Sequence, residues 1–389
     1  MKLELIATAT FGLEAVVKRE IEKLGYRILK TEDGRVTYLG DERAVVRSNL
    51  WLRTADRIYV KMGEFEAYSF EELFQQTKAI EWESIIPMDG KFPVVGTSVK
   101  SELHSVPSCQ SIIKKAVVTR LGEFYMSDKM QGKDFTGSLQ EDGAEYRIRF
   151  AALKNKFVLM LDASGIGLHK RGYRVKDVEA PMKETLAAAL VQLSFYRADR
   201  PLVDLTCGSG TILIEAAMIE RNIAPGLNRG FASEGWDIIP EEMWKEERKA
   251  AYAAADFSRE LNIKGFDINR KAIEAATANA DEAGLLDDME LLRMDMKKFE
   301  PDCRYGVVIS NLPYGKRVGT DPEIEAIYKR IGYLMRAHPT WSFFLITSDK
   351  ELEKQLNISA DRRRKLYNGN IETTYYQFHG TRPPKKETV

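Results

Sequence analysis

The chain has 389 residues, of which 44% are hydrophobic and 30% are charged, a composition typical of a soluble globular protein with two or three domains. Its 58 Lys and Arg residues are balanced by 58 Asp and Glu residues, which excludes the strongly basic charge of a general nucleic-acid binder. The three cysteines are scattered without a CxxC pair, and no apolar run is long enough to span a bilayer. We expect a cytoplasmic protein without disulfides or a metal site.

The N-terminal half predicts two α+β units followed by a hinge. Residues 1–58 contain a strand over Met1–Thr8, which is predicted instead of a signal peptide, an amphipathic helix over Leu13–Leu24 and two short strands at residues 26–30 and 35–39. Residues 59–165 contain a strand at Val94–Lys100, a helix at Cys109–Leu121 and strands at Tyr146–Ala151 and Phe157–Asp162. The sequence Ser164-Gly165-Ile166-Gly167 is typical of a hinge that leads into a third unit, residues 166–389.

The third unit alternates strand-like and helix-like segments, which predicts a parallel sheet covered on both faces. Five strands are predicted, at Leu202–Leu205, Lys264–Ile268, Glu290–Arg293, Gly306–Ser310 and Trp341–Thr347. Two further segments, Arg364–Tyr367 and Ile371–Phe378, flank Asn-Gly and predict a closing hairpin. The expected fold is α/β, with a mixed seven-stranded sheet.

A glycine-rich turn ends the first of these strands and begins a helix. Its residues are Asp204, Leu205, Thr206, Cys207, Gly208, Ser209, Gly210 and Thr211. The glycines let backbone N–H groups approach a ligand, which favours a nucleotide-like cofactor over an empty turn. A phosphate-binding loop would need GxxxxGK[ST], which is missing, and Leu213 occupies the third glycine position of a dinucleotide fingerprint.

Acidic residues follow three strands of this sheet. Asp204 would repel a pyrophosphate but suits an ammonium group. Asp267 is placed to accept ribose hydroxyls, and Asp295 with the Met296 backbone is placed at an adenine edge. S-adenosylmethionine has that ammonium and no phosphate, so it is the predicted cofactor. Each acid alone would fit an ordinary surface or capping role.

The sequence Asn311-Leu312-Pro313-Tyr314 follows the fourth strand, where open α/β sheets bind ligands. An exocyclic amino group on a base is a poor nucleophile and must be held and aimed. The Asn311 and Leu312 carbonyl oxygens could accept its two hydrogens, Pro313 would fix the turn and Tyr314 could stack on the ring. Taken alone, the tetrapeptide fits an ordinary strand-end turn equally well.

Together these motifs resemble class I S-adenosylmethionine-dependent amino-methyltransferases. The segment Ala180–Ala188 looks like the helix that precedes the cofactor loop in one branch, the bacterial large-subunit rRNA guanine-N2 methyltransferases, which also includes proteins described as N6-adenine-specific DNA methylases. Residues 3–14 resemble the start of that branch, and Leu168–Arg174 resembles the junction between its THUMP and catalytic domains. The similarity extends over nearly the whole chain.

The resemblance implies an N-terminal ferredoxin-like domain over residues 1–58, a THUMP RNA-binding domain over 59–165 and a Rossmann-like methyltransferase domain over 166–389. It implies methyl transfer to a base in RNA, most simply N2 of a guanine in large-subunit rRNA, and adds Glu184 and Ile268 to the expected cofactor contacts. Cationic patches expected to contact RNA comprise Lys114, Lys115 and Arg120, and Lys170, Arg171 and Arg174; a third patch is Arg362–Lys365. Charge runs are more often solvated surface than binding sites.

Two rival functions stay open at this point. One is methylation of adenine in DNA or RNA, or of a protein amide, because each substrate offers a planar amino group. The other is a non-catalytic RNA-binding assembly factor. Leu312 replaces the proline common at the second motif position, which weakens the prediction of the base, and the sequence gives no indication of oligomeric state. The four histidines lack ligand spacing, and Cys207 lacks the partner that a nucleophile needs.

Overall fold

A computed structural model describes residues 1–126, 137–178, 181–313, 322–382 and 384. These residues form two seven-stranded sheets, one in each half of the chain. No helix of these ranges is both long and apolar enough to cross a membrane.

The N-terminal sheet has the strand order β2-β3-β1-β4-β7-β6-β5. Its strands are β1 Leu3–Ala9, β2 Arg27–Glu32, β3 Arg35–Gly40, β4 Ala55–Glu66, β5 Val94–Val99, β6 Ile148–Leu153 and β7 Lys156–Asp162. Its helices are α1 Glu14–Lys23, α2 Glu42–Trp51, α3 Phe70–Lys78 and α4 Val106–Tyr125. Helix α4 extends beyond the predicted Cys109–Leu121 because Ser105 caps its first turn and Pro107 fits there.

Strand β4 joins the two predicted N-terminal units. Its 12 residues pair with β1 on one side and with β7 on the other. The predicted boundary between residues 58 and 59 therefore falls inside a strand, and the domain bounds stay a prediction. The sequence pattern did not indicate α2 or this continuity of the sheet.

The C-terminal sheet confirms the predicted mixed seven-stranded architecture, with the order β10-β9-β8-β11-β12-β14-β13. Its strands are β8 Leu202–Asp204, β9 Ile263–Asp267, β10 Met289–Arg293, β11 Val307–Asn311, β12 Ser342–Thr347, β13 Arg362–Asn368 and β14 Ile371–Phe378. Its helices are α5 Glu184–Ser194, α6 Thr211–Glu220, α7 Glu241–Ala253, α8 Arg270–Glu282, α9 Pro322–Ala337 and α10 Leu352–Leu356. The first five strands are parallel, and the strand order reverses between β8 and β11, where such sheets open a crevice for ligands.

The insertion between α6 and β9 packs against the N-terminal sheet. Trp236 is fully buried, stacks on Tyr146 with 5.4 Å between ring centroids and donates its indole N–H to the Glu145 carbonyl. Phe231 and Trp244 stack on each other and belong to the same core as the N-terminal strands. The insertion thus connects the C-terminal half to the N-terminal half through an apolar core.

We predict that Trp236→Ala lowers the free energy of unfolding by about 3–5 kcal/mol, because it leaves a large cavity between the two halves. Urea titration with a thermal scan measures the loss. Tyr252→Ala is the matched control: that ring is 59% exposed, and its removal should cost less than ~0.5 kcal/mol. Equal losses in the two variants would show that the stack does not hold the insertion.

Candidate cofactor and substrate site

The glycine-rich turn leaves β8 at Asp204 and enters α6 at Thr211. Gly208 and Gly210 adopt positive φ angles of 54° and 78°, a region that favours glycine. A Cβ on Gly210 would also lie 3.1 Å from the Ala276 Cβ, so α8 packs closely against the turn. The turn therefore presents bare backbone at the carboxyl edge of the sheet.

The three predicted acids lie at the ends of the neighbouring strands β8, β9 and β10. Asp267 accepts the Gly208 N–H at 3.0 Å and the Asn269 N–H at 2.8 Å. Asp295 accepts the Lys297 N–H at 2.9 Å and caps a short turn that contains the buried Met296. The edge of the sheet thus carries three carboxyl groups in a row.

Ile268 follows Asp267 and has a side chain that is 66% exposed. An apolar side chain this open at the strand end can cover the flat face of a ring bound over Asp267. Two hydroxyl side chains of the glycine-rich turn, Ser209 and Thr211, are buried, with 3.3 Å between their oxygens.

Asp204 is an unusual carboxyl group because it is only 1% exposed. Burial raises its pKa to about 7, the nearby Asp267 charge adds to the increase, and hydrogen bonds from the Thr206 N–H and Ser310 oppose it. Near neutral pH the turn can therefore hold either a proton or a negative charge. A cation placed here would favour the charged form.

Cys207 lies inside the turn and does not act as an exposed thiol. Its side chain is 6% exposed, burial raises the pKa of the thiol well above its usual range, and its N–H donates to the Phe266 carbonyl. A thiol kept protonated is a poor nucleophile.

A segment from the domain junction is bound to the same turn by Asn279. This buried α8 side chain accepts the Val175 and Lys176 N–H groups at 2.9 and 3.0 Å. It donates to the carbonyls of Lys176 and Ser209 at 3.0 and 3.1 Å. Asn279 was not predicted as a site residue. The sequence does show it as a polar residue of low helix propensity inside an Ala-rich helix.

Arg174 makes a second connection between the junction and the turn. Its guanidinium donates to Glu184 at 2.8 Å, to the Met182 carbonyl at 2.7 Å and to the Thr211 hydroxyl at 3.2 Å. Glu184 is 2% exposed, and burial raises its pKa while Arg174 opposes the shift. Glu184 thus lies beside the turn as an ion-pair partner of Arg174.

The described part of the Asn311–Tyr314 motif adjoins the glycine-rich turn directly. The Thr206 hydroxyl donates to the Asn311 backbone carbonyl at 3.0 Å. The Asn311 Oδ1 atom is buried and has no hydrogen-bond partner among the described residues. Pro313 is exposed. Tyr314 lies outside the described residues, and its stacking on a base stays a prediction.

Leu312, the second residue of the motif, directs its side chain into the core. Its side chain is fully buried in the core beneath the site, with Val308 and Phe343. Its N–H donates to the Ile346 carbonyl at 3.0 Å. The side chain therefore lies away from the motif's exposed surface.

The cations predicted to contact RNA fall into two groups. Lys114 pairs with Glu141, Arg120 pairs with Glu83, and Lys115 lies over the Phe74 ring at 5.6 Å. These three therefore have partners within the N-terminal half.

At the junction, Lys170 is exposed but Arg171 and Arg174 are not. The Arg171 side chain is 2% exposed and pairs with the buried Glu215 at 3.3 Å. It also donates to the Leu168 carbonyl at 2.5 Å and to the Arg53 carbonyl. Arg171 and Arg174 thus hold the junction together, and only Lys170 of this patch faces solvent.

Three family models together cover most of the chain. The RMKL-like methyltransferase domain matches residues 171–377, the RlmL ferredoxin-like domain matches residues 4–59 and the THUMP domain matches residues 67–162. The chain therefore belongs to the RMKL-like methyltransferase family, with ferredoxin-like and THUMP domains preceding the methyltransferase domain, as the sequence resemblance predicted.

Individual relatives are similar over their full length. A Bacillus subtilis (strain 168) protein, the candidate RNA methyltransferase YpsC, is 47% identical over 100% of this chain and 99% of its own. A predicted N6-adenine-specific DNA methylase from Listeria monocytogenes is 45% identical, with a TM-score of 0.91 over 98% of this chain and 97% of its own. A candidate methyltransferase, SMU.472, solved as a complex with SAH, is 43% identical, with a TM-score of 0.92 over 98% of this chain and 99% of its own.

We predict that Asp204→Asn stabilises the protein above neutral pH. Because the folded-state pKa is raised, the Asp204 contribution to stability is present in acid and is lost as the pH rises through about 7. The variant carries no titrating group, so its advantage should grow on the order of a few kcal/mol between pH ~5 and ~8. Urea unfolding at both pH values measures it.

Asp287→Asn is the control, since that carboxylate is exposed. Parallel stability curves for wild type and Asp204→Asn across this pH range would contradict the buried titration.

Proposed function

We propose that this protein transfers a methyl group from S-adenosylmethionine to the exocyclic amino group of a base in RNA, and that the base is a guanine in large-subunit rRNA modified at N2. The observation that supports the proposal most directly is the environment of the Asn311 side chain. Its buried Oδ1 is an acceptor without a partner among the described residues, at the carboxyl end of β11, and its backbone is bonded to the cofactor turn. A buried acceptor left unpaired is costly unless a ligand satisfies it.

The residues at the sheet edge fit S-adenosylmethionine. Asp204 supplies a carboxyl group for the amino group of the methionine part, Asp267 supplies acceptors for the ribose hydroxyls, and Asp295 with the Met296 backbone supplies partners for adenine. No lysine or arginine lies within the turn 204–211, as expected for a cofactor without phosphate. The relative solved with SAH supports the same cofactor. When bound, the cofactor supplies a methyl group on a positively charged sulfur.

The chain's own contribution is to hold the amine. The Asn311 Oδ1 and the Leu312 carbonyl accept its two hydrogens, which keeps the nitrogen in the plane of the base and aims its lone pair at the methyl group. Positive charge develops on the nitrogen as the bond to carbon forms, and two carbonyl dipoles stabilise that charge. As that bond forms, the carbon–sulfur bond would break and the cofactor would leave as the neutral thioether, while the methylated amine would release one proton to solvent.

Two carbonyl oxygens hold guanine N2 and adenine N6 equally well, so the choice of guanine rests on the family resemblance. The relative described as an N6-adenine-specific DNA methylase keeps adenine as the second candidate. Mapping of methylated nucleotides in rRNA from cells with and without the gene distinguishes the two, because N2-methylguanine and N6-methyladenine separate chromatographically.

A basic groove at the domain junction supports RNA as the polymer. Lys170, Arg229 and Glu184 line it, together with Arg174, which donates to Thr211 of the glycine-rich turn. Burial first, and then the neighbouring charges of Lys183 and Lys170, lower the pKa of His169 to about 4, so this ring is neutral near neutral pH. The THUMP match and the RNA methyltransferase relative point the same way.

We predict that Asn311→Ala abolishes methyl transfer to rRNA while the affinity for S-adenosylmethionine stays within a few-fold of wild type. The variant removes one acceptor of the amine without touching the acids at the sheet edge. Transfer of labelled methyl to rRNA and to DNA measures activity, and calorimetry measures cofactor binding.

Asn262→Ala is the matched control, an exposed asparagine just before β9, and should keep full activity. Near-normal turnover by Asn311→Ala would refute the mechanism. Absence of S-adenosylmethionine binding by the wild type would favour the non-catalytic assembly factor.

We also predict that cofactor affinity depends on pH through Asp204. The ammonium of S-adenosylmethionine favours the ionised carboxylate, whose pKa is about 7 in the free protein. Affinity should therefore rise with pH and level off above ~7, and fall by at most about tenfold for each pH unit below it. Calorimetric titration from acid to neutral pH measures this, and Asp204→Asn should bind more weakly with a flat profile.

A further inference from the structure

Strand β13 carries four consecutive cations, Arg362 to Lys365. The cations on one face of the strand have acidic partners, and those on the other face do not. Arg363 pairs with Glu353, and Lys365 pairs with Glu372 at 2.7 Å. Arg362 and Arg364 point to the opposite face, because side chains alternate along a strand. Neither makes an ion pair or a side-chain hydrogen bond with the residues that the structure describes, and the buried Arg364 Nε is unsatisfied. One face of β13 is thus neutralised and the other is not.

A third arginine, Arg19 of helix α1 in the N-terminal half, lies near this face of β13. Helix α1 packs on the catalytic sheet there, with Leu13 and Val16 in the same core as Leu366 and Tyr375. Arg19 is one helical turn beyond Val16, and Arg364 is two residues before Leu366 on the same face, so both lie at the rim of this core. Burial lowers the pKa of Arg364, and the charges of Arg362 and Arg19 lower it further.

No carboxylate in the described part of the chain pairs with any of these three arginines; Glu22, which follows Arg19 on α1, pairs with Lys18 at 3.8 Å. The chain has as many acids as bases, so three neighbouring arginines without an ion-pair partner among the described residues are not expected from composition alone. Like charges held together cost stability unless an anion binds between them.

We propose that Arg19, Arg362 and Arg364 form a phosphate-binding site for the RNA backbone that spans the ferredoxin-like domain and the catalytic domain. The site is separate from the junction groove and from the predicted patch on α4. Guanidinium groups fit phosphate oxygens in a bidentate manner, and such contacts position RNA without reading its sequence. This inference rests on RNA being the substrate.

The sheet register relates the site to the amine-holding motif. Arg364 pairs with Tyr375, Tyr375 with Ile346, and Ile346 with Asn311. The arginine therefore lies level with Asn311, three strand spacings away, or about 14 Å at ~4.8 Å per strand. An RNA held by the arginines has its backbone close to the site where its target base would be methylated.

The test compares Arg19→Ala, Arg362→Ala and Arg364→Ala with Arg363→Ala in the full-length protein. All four variants lose one positive charge, so Arg363→Ala controls for net charge. Binding of a fluorescent mixed-sequence RNA hairpin is measured by anisotropy between ~50 and ~200 mM KCl. Each cluster variant should bind roughly three- to tenfold more weakly, with a salt slope reduced by about 0.7–0.9, while Arg363→Ala matches wild type.

A second readout separates RNA positioning from catalysis. Each cluster variant should raise the KM for rRNA and leave kcat and the affinity for S-adenosylmethionine unchanged. If Arg364→Ala loses cofactor binding through misfolding, Arg19→Ala and Arg362→Ala decide, because both side chains are exposed. Salt slopes equal to that of Arg363→Ala would overturn the site. Absence of methyl transfer by the wild type would overturn the proposed function instead, since RNA binding alone still tests the arginines.

Discussion

The buried amide of Asn279 is the contact on which the site depends. It saturates two N–H groups and one carbonyl of the junction segment and one carbonyl of the glycine-rich turn. A side chain that is 1% exposed and fully hydrogen-bonded has few alternative arrangements. The chain that arrives from the THUMP domain and the glycine-rich turn are therefore held in one geometry. The Arg174 contacts with Glu184 and Thr211 repeat the same connection on the other side of the turn.

The sequence predicted the catalytic half well because its local signals agree with its tertiary structure. Apolar strands, the turn Asp204–Thr211 and the Asn-Gly hairpin each have a short-range cause. The N-terminal half was predicted less completely, since β4 alternates weakly and its length depends on having a partner on each side. The partners of Asn279, and the Glu215 and Arg53 partners of Arg171, could not be predicted, because they lie 44 or more residues away in the chain.

The net charge of the chain says little about where its cations act. The cations occupy three environments: paired cations on α4, buried cations that hold the junction, and unpaired cations at the groove and on β13. Sequence patches such as Lys170–Arg174 contain two of these environments within five residues. Burial and ion pairing sort them, and neither quantity can be derived from the order of the residues alone.

Strand β4 pairs with a strand on each side, which limits how the N-terminal half could have been assembled from separate modules. The ferredoxin-like and THUMP models match on either side of residues 60–66, as though two modules had been joined end to end. Separating them would leave one piece without its central strand and the other with a long unprotected edge, and such edges promote aggregation. The two modules therefore share one folding unit, and exchange between proteins would have to move them as a pair.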